Sequence, residues 1–299
     1  MTNSEKIRRK ALSLGFDLCG IARCRSLERQ YDRFKNWLAD GCDGGLEYLR
    51  RNTGKRFDPG ALCEGARSVI VCGVGYHRPP SAHEVASRIA SYAHSRDYHL
   101  TIRERLNELS AYLRELVPGA SGRVFTDTAP LAEKSWAVEA GLGWIGRNSL
   151  LANPRLGSFL LLGEVVTTAE LESDAPFVRD GCGTCRACVD ACPVAAIRPD
   201  RTIDAGRCIS RRTIEAGDGD EGDLHGWLFG CDVCQRACPY NRKAPVSVHD
   251  SFAPLAELER LDIDDWLGLD EAGFRRIFGE TPLARCGLRR LQERIRRLK

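Results

Sequence analysis

The stretch that decides how this chain reads runs from Cys182 to Pro193, CGTCRACVDACP. Cys182, Cys185, Cys188 and Cys192-Pro193 have the C-x2-C-x2-C-x3-C-P spacing of an iron–sulfur ligand run, in which the fourth cysteine serves the other cluster of a pair. A partial echo follows at Cys231, Cys234 and Cys238-Pro239. Two cubane clusters need eight thiolates, and these two runs supply seven. Aligned on the first run, the second has Leu228 where its leading cysteine would stand. Crossed ligation gives one cluster Cys182, Cys185, Cys188 and Cys238, and gives the other Cys192, Cys231 and Cys234. Cys208, in the segment between the runs, is the favoured eighth ligand, with Cys286 a more distant alternative. Pro193 and Pro239 keep a regular helix from running on through the ligand. A protein carrying this pattern moves electrons.

Zinc and disulfides are the competing uses of such cysteines. Zinc favours paired C-x2-C knuckles with four ligands and leaves the x3-C-P ending without a purpose. Disulfides suit an exported chain, whereas the N-terminus MTNSEKIRRK has no apolar core of the kind a signal peptide needs. No run approaches the roughly 18 apolar residues that span a bilayer, so no membrane association and a cytoplasmic location are expected. Fourteen cysteines in a reducing compartment then argue for metal. Cys19, Cys24, Cys42, Cys63 and Cys72 have no ligand spacing and read as small buried hydrophobes. A net charge of +3 excludes a strongly basic nucleic-acid binder of the polycationic kind.

At 299 residues the chain has room for more than one core, and a simple ferredoxin needs far fewer. The pattern predicts residues 1–172 as an α/β domain, 173–245 as a ferredoxin-like module and 246–299 as a helical tail. In the first domain, Ser4 is expected to cap a helix that ends at Gly15, with Ile7, Ala11 and Leu14 on one face. Phe16–Ile21 and Ser68–Val74 read as strands, the second buried on both sides. Gly73-Val74-Gly75 lacks the third glycine and helix start of a dinucleotide fingerprint. Ile102, Leu106, Leu109 and Leu113 fall at helical spacing within Leu100–Leu116. A strand at Arg123–Thr126 leads through Asp127-Thr128-Ala129-Pro130 into a helix from Leu131 to Ala140, for which Asp127 is a chemically suitable N-cap. Further apolar segments cover Ser149–Ala152 and Phe159–Thr167, the latter interrupted by Gly163. An acidic loop spans Asp218–Asp223, and Leu283–Lys299 reads as a basic helix that either packs as a solvated face or contacts phosphate.

Several segments, in order, resemble the epoxyqueuosine reductases, a cobalamin- and iron–sulfur-dependent family acting at the last step of queuosine synthesis in tRNA. They are GFDLCGIA from Gly15, KRFDP at Lys55–Pro59, GARSVIVCGVGY at Gly65–Tyr76 and RDYH at Arg96–His99. Next come DTAPLAEK at Asp127–Lys134, AGLGWIGRNSLL at Ala140–Leu151 and GSFLLLGEVVT at Gly157–Thr167. CIS at Cys208–Ser210 and GCDVCQRACPYN at Gly230–Asn241 complete the series.

The resemblance implies an α+β chain: a nitroreductase-like cobalamin domain, a ferredoxin-like double [4Fe–4S] module and a short helical tail. It implies Cys208 as the eighth ligand, and base-off cobalamin with no protein ligand to cobalt. By the family's motifs, Arg56, Ala90, Leu151, Ala152 and Leu162 would line the corrin, with Ser210 on the cluster side. Asp127 would be the proton donor that makes the epoxide oxygen a leaving group, and a carboxyl packed beside a cofactor is expected to have a raised pKa. Asp97-Tyr98-His99 starts like the D-x-H of cobalt-ligating proteins, but Ile102 stands where their glycine would, so His99 is expected to be structural or substrate-facing. The implied partners are a tRNA anticodon stem-loop and a low-potential donor such as a flavodoxin or ferredoxin, with the enzyme a monomer.

The sequence departs from the family at Arg211-Arg212, at the acidic loop, and in having no C-terminal helical-repeat extension within its 299 residues. Two other activities fit the same motifs: a cobalamin reductase of another small electrophile, and a non-catalytic electron-transfer protein.

Overall fold

Alternation inside an apolar run organises the N-terminal half. The computed structural model describes residues 1–215 and 221–298. Helix α1 (Asn3–Ser13) precedes strand β1 (Leu18–Arg23), and α2 (Glu28–Ala39) and α3 (Glu47–Arg50) precede β2 (Ser68–Gly75). Along β2, Ile70, Cys72 and Val74 enter one core with Ile7, Ala11, Ile102, Leu106, Leu109 and Leu113. Val69 and Val71 enter a second core with Leu27, Phe57, Trp136 and Leu142. Successive side chains of a strand point to opposite faces, so a continuous apolar run is what burial on both sides requires. Each such aliphatic side chain contributes about 1.5–3 kcal/mol by leaving water.

Helix α4 (Tyr98–Leu116), strand β3 (Gly122–Phe125), α5 (Glu133–Glu139), the short pair β4 (Trp144–Ile145) and β5 (Leu151–Ala152), and β6 (Leu160–Thr167) complete this half. The main sheet has the order β1-β2-β6-β3 with every pairing antiparallel. Helices α1 and α4 cover one face and α5 the other. Gly163 does not interrupt β6 and pairs with Cys72. Gly75 closes β2, in keeping with the absence of a nucleotide turn.

Two sequence expectations about helix starts are overturned. Thr2, not Ser4, caps α1: its side chain accepts from the Glu5 N–H while Glu5 reaches back to the Thr2 N–H, and Ser4 is buried inside the helix. Asp127 caps nothing. Helix α5 starts six residues later, at Glu133, after Ala132, which makes no side-chain cap bond. The intervening residues form a tight loop in which Asp127 has a left-handed φ of 52° and the Thr128 N–H donates to the Thr126 carbonyl. Of the scattered cysteines, Cys42, Cys63 and Cys72 are buried, whereas Cys19 and Cys24 are half-buried.

The cysteine-rich segment holds α6 (Ala187–Ala191), α7 (Ile209–Ile214) and α8 (Val233–Arg236), and α9 (Ile263–Gly268), α10 (Glu271–Phe278) and α11 (Leu288–Arg296) follow. Residues of the last three helices share a third core with Val85, Ala86, Ile89, Ala93, Leu228 and Phe229. Leu228, the position of the missing cysteine, is therefore a core residue. The basic helix packs by Leu288, Leu291 and Ile295. Five arginines of the basic segment are engaged by carboxylates: Arg285, ahead of the helix, by Glu215, Arg289 by Glu293, and Arg290, Arg294 and Arg297 together by Glu221. Glu221 belongs to the acidic run, of which positions 218–220 lie outside the described residues, as does Lys299.

Gly20 shows how tightly the layers meet: a Cβ there would lie 2.1 Å from the Ala140 carbonyl oxygen at the end of α5. Gly20→Ala is expected to destabilise the fold by about 1–3 kcal/mol through backbone displacement. A lowered denaturation midpoint against wild type is the check.

Candidate active site and cluster module

The site is assembled where the start of α4 meets the loop before α5. Asp97 caps α4 by accepting the His99 N–H at 2.9 Å, which turns the His99 ring back toward it. His99 Nδ1 then lies 2.6 Å from Asp97 Oδ1, and Nε2 lies 3.3 Å from Asp127 Oδ2. The Tyr98 hydroxyl donates to the same Asp127 oxygen at 3.0 Å. The loop is held from below, where the Asp127 N–H donates to Glu133 Oε1 at 2.5 Å. Asp127 thus owes its position to three contacts and a strained backbone, a combination typical of functional loops.

The proton does not sit where the sequence suggested. The hydrogen bond from His99, working against burial and helped by the His99 charge and Tyr98, holds the Asp127 carboxyl below its ordinary range. Burial opposes a charged His99, but the Asp127 and Asp97 carboxylates outweigh it and raise the imidazole to about 9. An imidazolium with both N–H groups engaged by carboxylates is the result. Among the protein groups alone, a cationic neighbour within hydrogen-bond reach outweighs desolvation at Asp127. The Asp127 side chain is 52% exposed, with protein around it at longer range.

Beneath the loop lies a pair of carboxyls that sequence reasoning did not single out. Glu164 on β6 is fully buried and neither of its oxygens has a hydrogen-bond donor. Burial, with the Glu133 carboxyl alongside, pushes it well above the usual carboxylate range. Glu133 is raised to about 7 by burial and by the Asp127 charge. The available signal was a lone acid inside the apolar run LLLGEVV.

Around the cleft, Tyr48, Arg56 and Arg285 are electrostatic neighbours of Asp127. Arg56 donates to the Tyr48 carbonyl at 3.0 Å, while its Nε is buried without a protein partner. Of the other expected corrin contacts, Ser210 is half-buried, and Ala90, Leu151, Ala152 and Leu162 are buried. Thr126, next to Asp127, bonds the Leu162 carbonyl at 3.1 Å.

The cysteines fall into two neighbourhoods. Cys188 lies among Cys182, Cys238 and Cys185, and Cys238 beside Cys182 and Cys185. Cys208 is beside Cys192, Cys231 beside Cys208 and Cys192, and Cys234 beside Cys231 and Cys208. Cys234 also neighbours Cys188, which joins the two sets. Among the described residues no three His, Cys, Asp or Glu side chains converge as a single ion would require. A cubane keeps its thiolates several ångströms apart and needs no such convergence. Cys286 is remote from these sets, buried in the third core with Arg294 donating to its sulfur at 3.3 Å.

The module is fastened to the cleft by buried polar contacts. Asp232, between Cys231 and Val233, accepts from the Ser91 N–H at 2.8 Å and its hydroxyl at 2.6 Å. The Ala90 N–H donates to the Phe229 carbonyl at 2.8 Å. Asn241 bonds the Ser158 N–H and hydroxyl, and fills the space a side chain at Gly157 would need.

Two predictions follow from this geometry. His99 is expected to titrate near 9, and Asp97→Asn to bring it down toward the ordinary value of about 6.5, as read by imidazole NMR shifts. Because its folded pKa is raised, the stability it contributes is complete below about pH 6.5 and drains away as pH rises through about 9.

A family profile described as "Epoxyqueuosine reductase QueG, DUF1730" matches residues 56–128, from Arg56 through Asp127, and one described as "4Fe-4S double cluster binding domain" matches 181–241. The epoxyqueuosine reductase of Cyclobacterium marinum is 40% identical over 299 residues, covering 98% of this chain and 96% of its own. An epoxyqueuosine reductase crystallised with an epoxyqueuosine-modified tRNA-Tyr stem loop superposes with a TM-score of 0.89 at 26% identity, over 97% of this chain and 79% of that one. The Bacillus subtilis epoxyqueuosine reductase, captured with an aspartate catalytic loop swung out of the active site, superposes with a TM-score of 0.87 at 26% identity, over 97% and 79%. Forty per cent identical to one such enzyme over 98% of its length, this chain belongs to the epoxyqueuosine reductase family.

Proposed function

We propose that this protein reduces epoxyqueuosine to queuosine at the wobble position of a tRNA anticodon, using cobalamin and electrons delivered through two [4Fe–4S] clusters. The observation that carries this reading is the Asp97–His99–Asp127 chain, a proton held at an open cleft beside a cysteine module. Converting an epoxide to an alkene and water breaks two C–O bonds and consumes two electrons and two protons. A site for this reaction needs an electron supply and a proton supply at one place. Bound cobalamin supplies a reducible, nucleophilic metal centre, and the clusters supply single electrons.

The chain's own residues do the rest. His99 Nε2 holds a proton against Asp127 Oδ2, and the carboxylate hands it to the departing oxygen, so Asp127 is the catalytic residue and His99 its proton source. Solvent reaching the half-exposed Asp127 provides the second proton. Tyr98, kept as a phenol by burial and the Asp127 charge, fixes the carboxylate by its hydroxyl. Arg56, Ala90, Leu151, Ala152, Leu162 and Ser210 are the proposed corrin contacts, and the buried, unpartnered Nε of Arg56 is a donor suited to such a ligand. With both nitrogens of His99 engaged, cobalamin is proposed to bind base-off with no protein ligand to cobalt.

Cys192, Cys208, Cys231 and Cys234 are proposed to hold the cluster nearer the cleft, since Asp232 ties their loop to Ser91. Cys182, Cys185, Cys188 and Cys238 are proposed to hold the outer one, since Cys185 is exposed. The N-terminal domain is proposed to be nitroreductase-like, with residues 1–172, 173–245 and 246–299 as functional units. The enzyme is proposed to be a cytoplasmic monomer that binds the anticodon stem-loop and accepts electrons from a flavodoxin or ferredoxin.

Anaerobic reconstitution with iron, sulfide and cobalamin, then incubation with epoxyqueuosine tRNA and a low-potential reductant, tests the reading by nucleoside analysis. Queuosine is expected from wild type, with at least about a hundredfold loss of rate in Asp127→Asn. Cobalamin binding without queuosine would contradict the substrate. For the cluster assignment, Cys208→Ser is expected to retain about half the iron of wild type. Full iron content in that variant would remove Cys208 from the ligand set.

A further inference from the structure

On the far side of α5 from Asp127, a groove of about 340 Å³ opens beside the outer cysteine set. Glu133 at the start of α5 contacts the Asp127 loop, whereas Ser135 and Val138 line the groove. Its centre is apolar: Phe177 stacks on Trp144 with ring centroids 5.7 Å apart, and Val178 is 93% exposed. Arg29, Arg33, Arg179 and Arg201 surround this centre, opposed within the lining by the single carboxylate of Asp180. Arg201 holds Asp180 at 2.6 Å, and Arg33 donates to the Asp200 carbonyl and faces the Asp200 carboxylate, which fixes both arginines in place. The groove is continuous with the cysteines: Trp144 Nε1 donates to Cys182 Sγ at 3.3 Å, Asp180 accepts the Cys182 N–H at 3.0 Å, and Cys185 is exposed.

We infer that this groove is the docking surface for an acidic, low-potential, one-electron carrier protein. The inference rests on the proposed outer position of the Cys182 set. An apolar centre within a charged rim is the anatomy of a protein interface. The excess of arginine selects an acidic partner and speeds its approach. Contact of Trp144 with a cluster-run sulfur brings such a partner's redox centre close to the electron's point of entry. One electron passes from the carrier's reduced cofactor to the oxidised iron–sulfur centre, with no bond broken and no proton moved. A nucleic acid also favours arginine, but it has no need of adjacency to Cys182 or of an exposed valine at the centre.

The test uses reconstituted holoenzyme and flavodoxin hydroquinone, with photoreduced 5-deazaflavin as a small reductant that needs no docking. Stopped-flow bleaching of the cluster absorbance gives the rate, and calorimetry gives the affinity of flavodoxin for the enzyme. The double variant Arg29→Glu, Arg33→Glu is expected to lower both the flavodoxin rate and affinity about tenfold. Val178→Asp, at an exposed position where folding is not at risk, is expected to act in the same direction. The wild-type rate should fall with added salt, and the deazaflavin rate should be unchanged in every variant. Three results would overturn the inference: an unchanged flavodoxin rate in the variants, no reduction of wild type by flavodoxin, or a selective loss of stem-loop binding. The last would assign the groove to nucleic acid. None of these readouts needs queuosine to form, so failure of the docking inference is distinguishable from failure of the substrate reading.

Discussion

The structure depends on one buried carboxylate, Asp232, which is 1% exposed and sits between two of the cysteine-run residues. Its Oδ2 takes both donors of Ser91, while Arg236 approaches the same oxygen at 3.4 Å. Burying a charge is costly unless donors replace water, and removing them would leave that cost uncompensated. The contact is therefore an all-or-none fastener between the cysteine loop and Ala90-Ser91. Asn241 does the same at the far end of the run by filling the space above Gly157. Electrons passing between centres need fixed distances, and these two polar clamps fix the module against the sheet that carries the cleft.

A second set of constraints holds Asp127. A left-handed backbone at Asp127 and a tight loop are sustained by Glu133 from below and by Tyr98 and His99 from the side. Charge alternates along Asp97, His99 and Asp127, so the imidazolium is stabilised by both neighbours. Deeper, Glu133 and Glu164 are kept from ionising together by burial and mutual proximity. A negative Asp127 above two carboxyls that do not ionise together limits the negative charge gathered beneath the loop.

Local chemistry was legible in the sequence, and long-range partnerships were not. The cysteine spacing identified the module because cysteines three or four residues apart are a local pattern, and Leu228, where the second run lacks its leading cysteine, is a core side chain. Strand β2 was legible because an apolar run such as Val69–Val74, rich in β-branched residues, has few other uses. Helix starts failed where a better-placed acceptor or the backbone intervened: Thr2 outcompeted Ser4, and the loop's left-handed turn took Asp127 away from α5. The pKa of Asp127 could not be read without knowing that α4 delivers His99 to it across 28 residues. Nor did the basic tail reveal that Arg290, Arg294 and Arg297 gather around Glu221, about 70 residues earlier in the chain.

In the proposed reaction the proton waits on His99 and not on Asp127. The pH dependence of kcat/KM for queuosine formation tests it most directly, because that profile reports the essential groups of the free enzyme. A plateau through neutral pH and a fall as pH rises through about 9 are expected, shifted to lower pH in Asp97→Asn. A rate that grows only as pH drops toward about 4, where an ordinary aspartate takes up its proton, would contradict it.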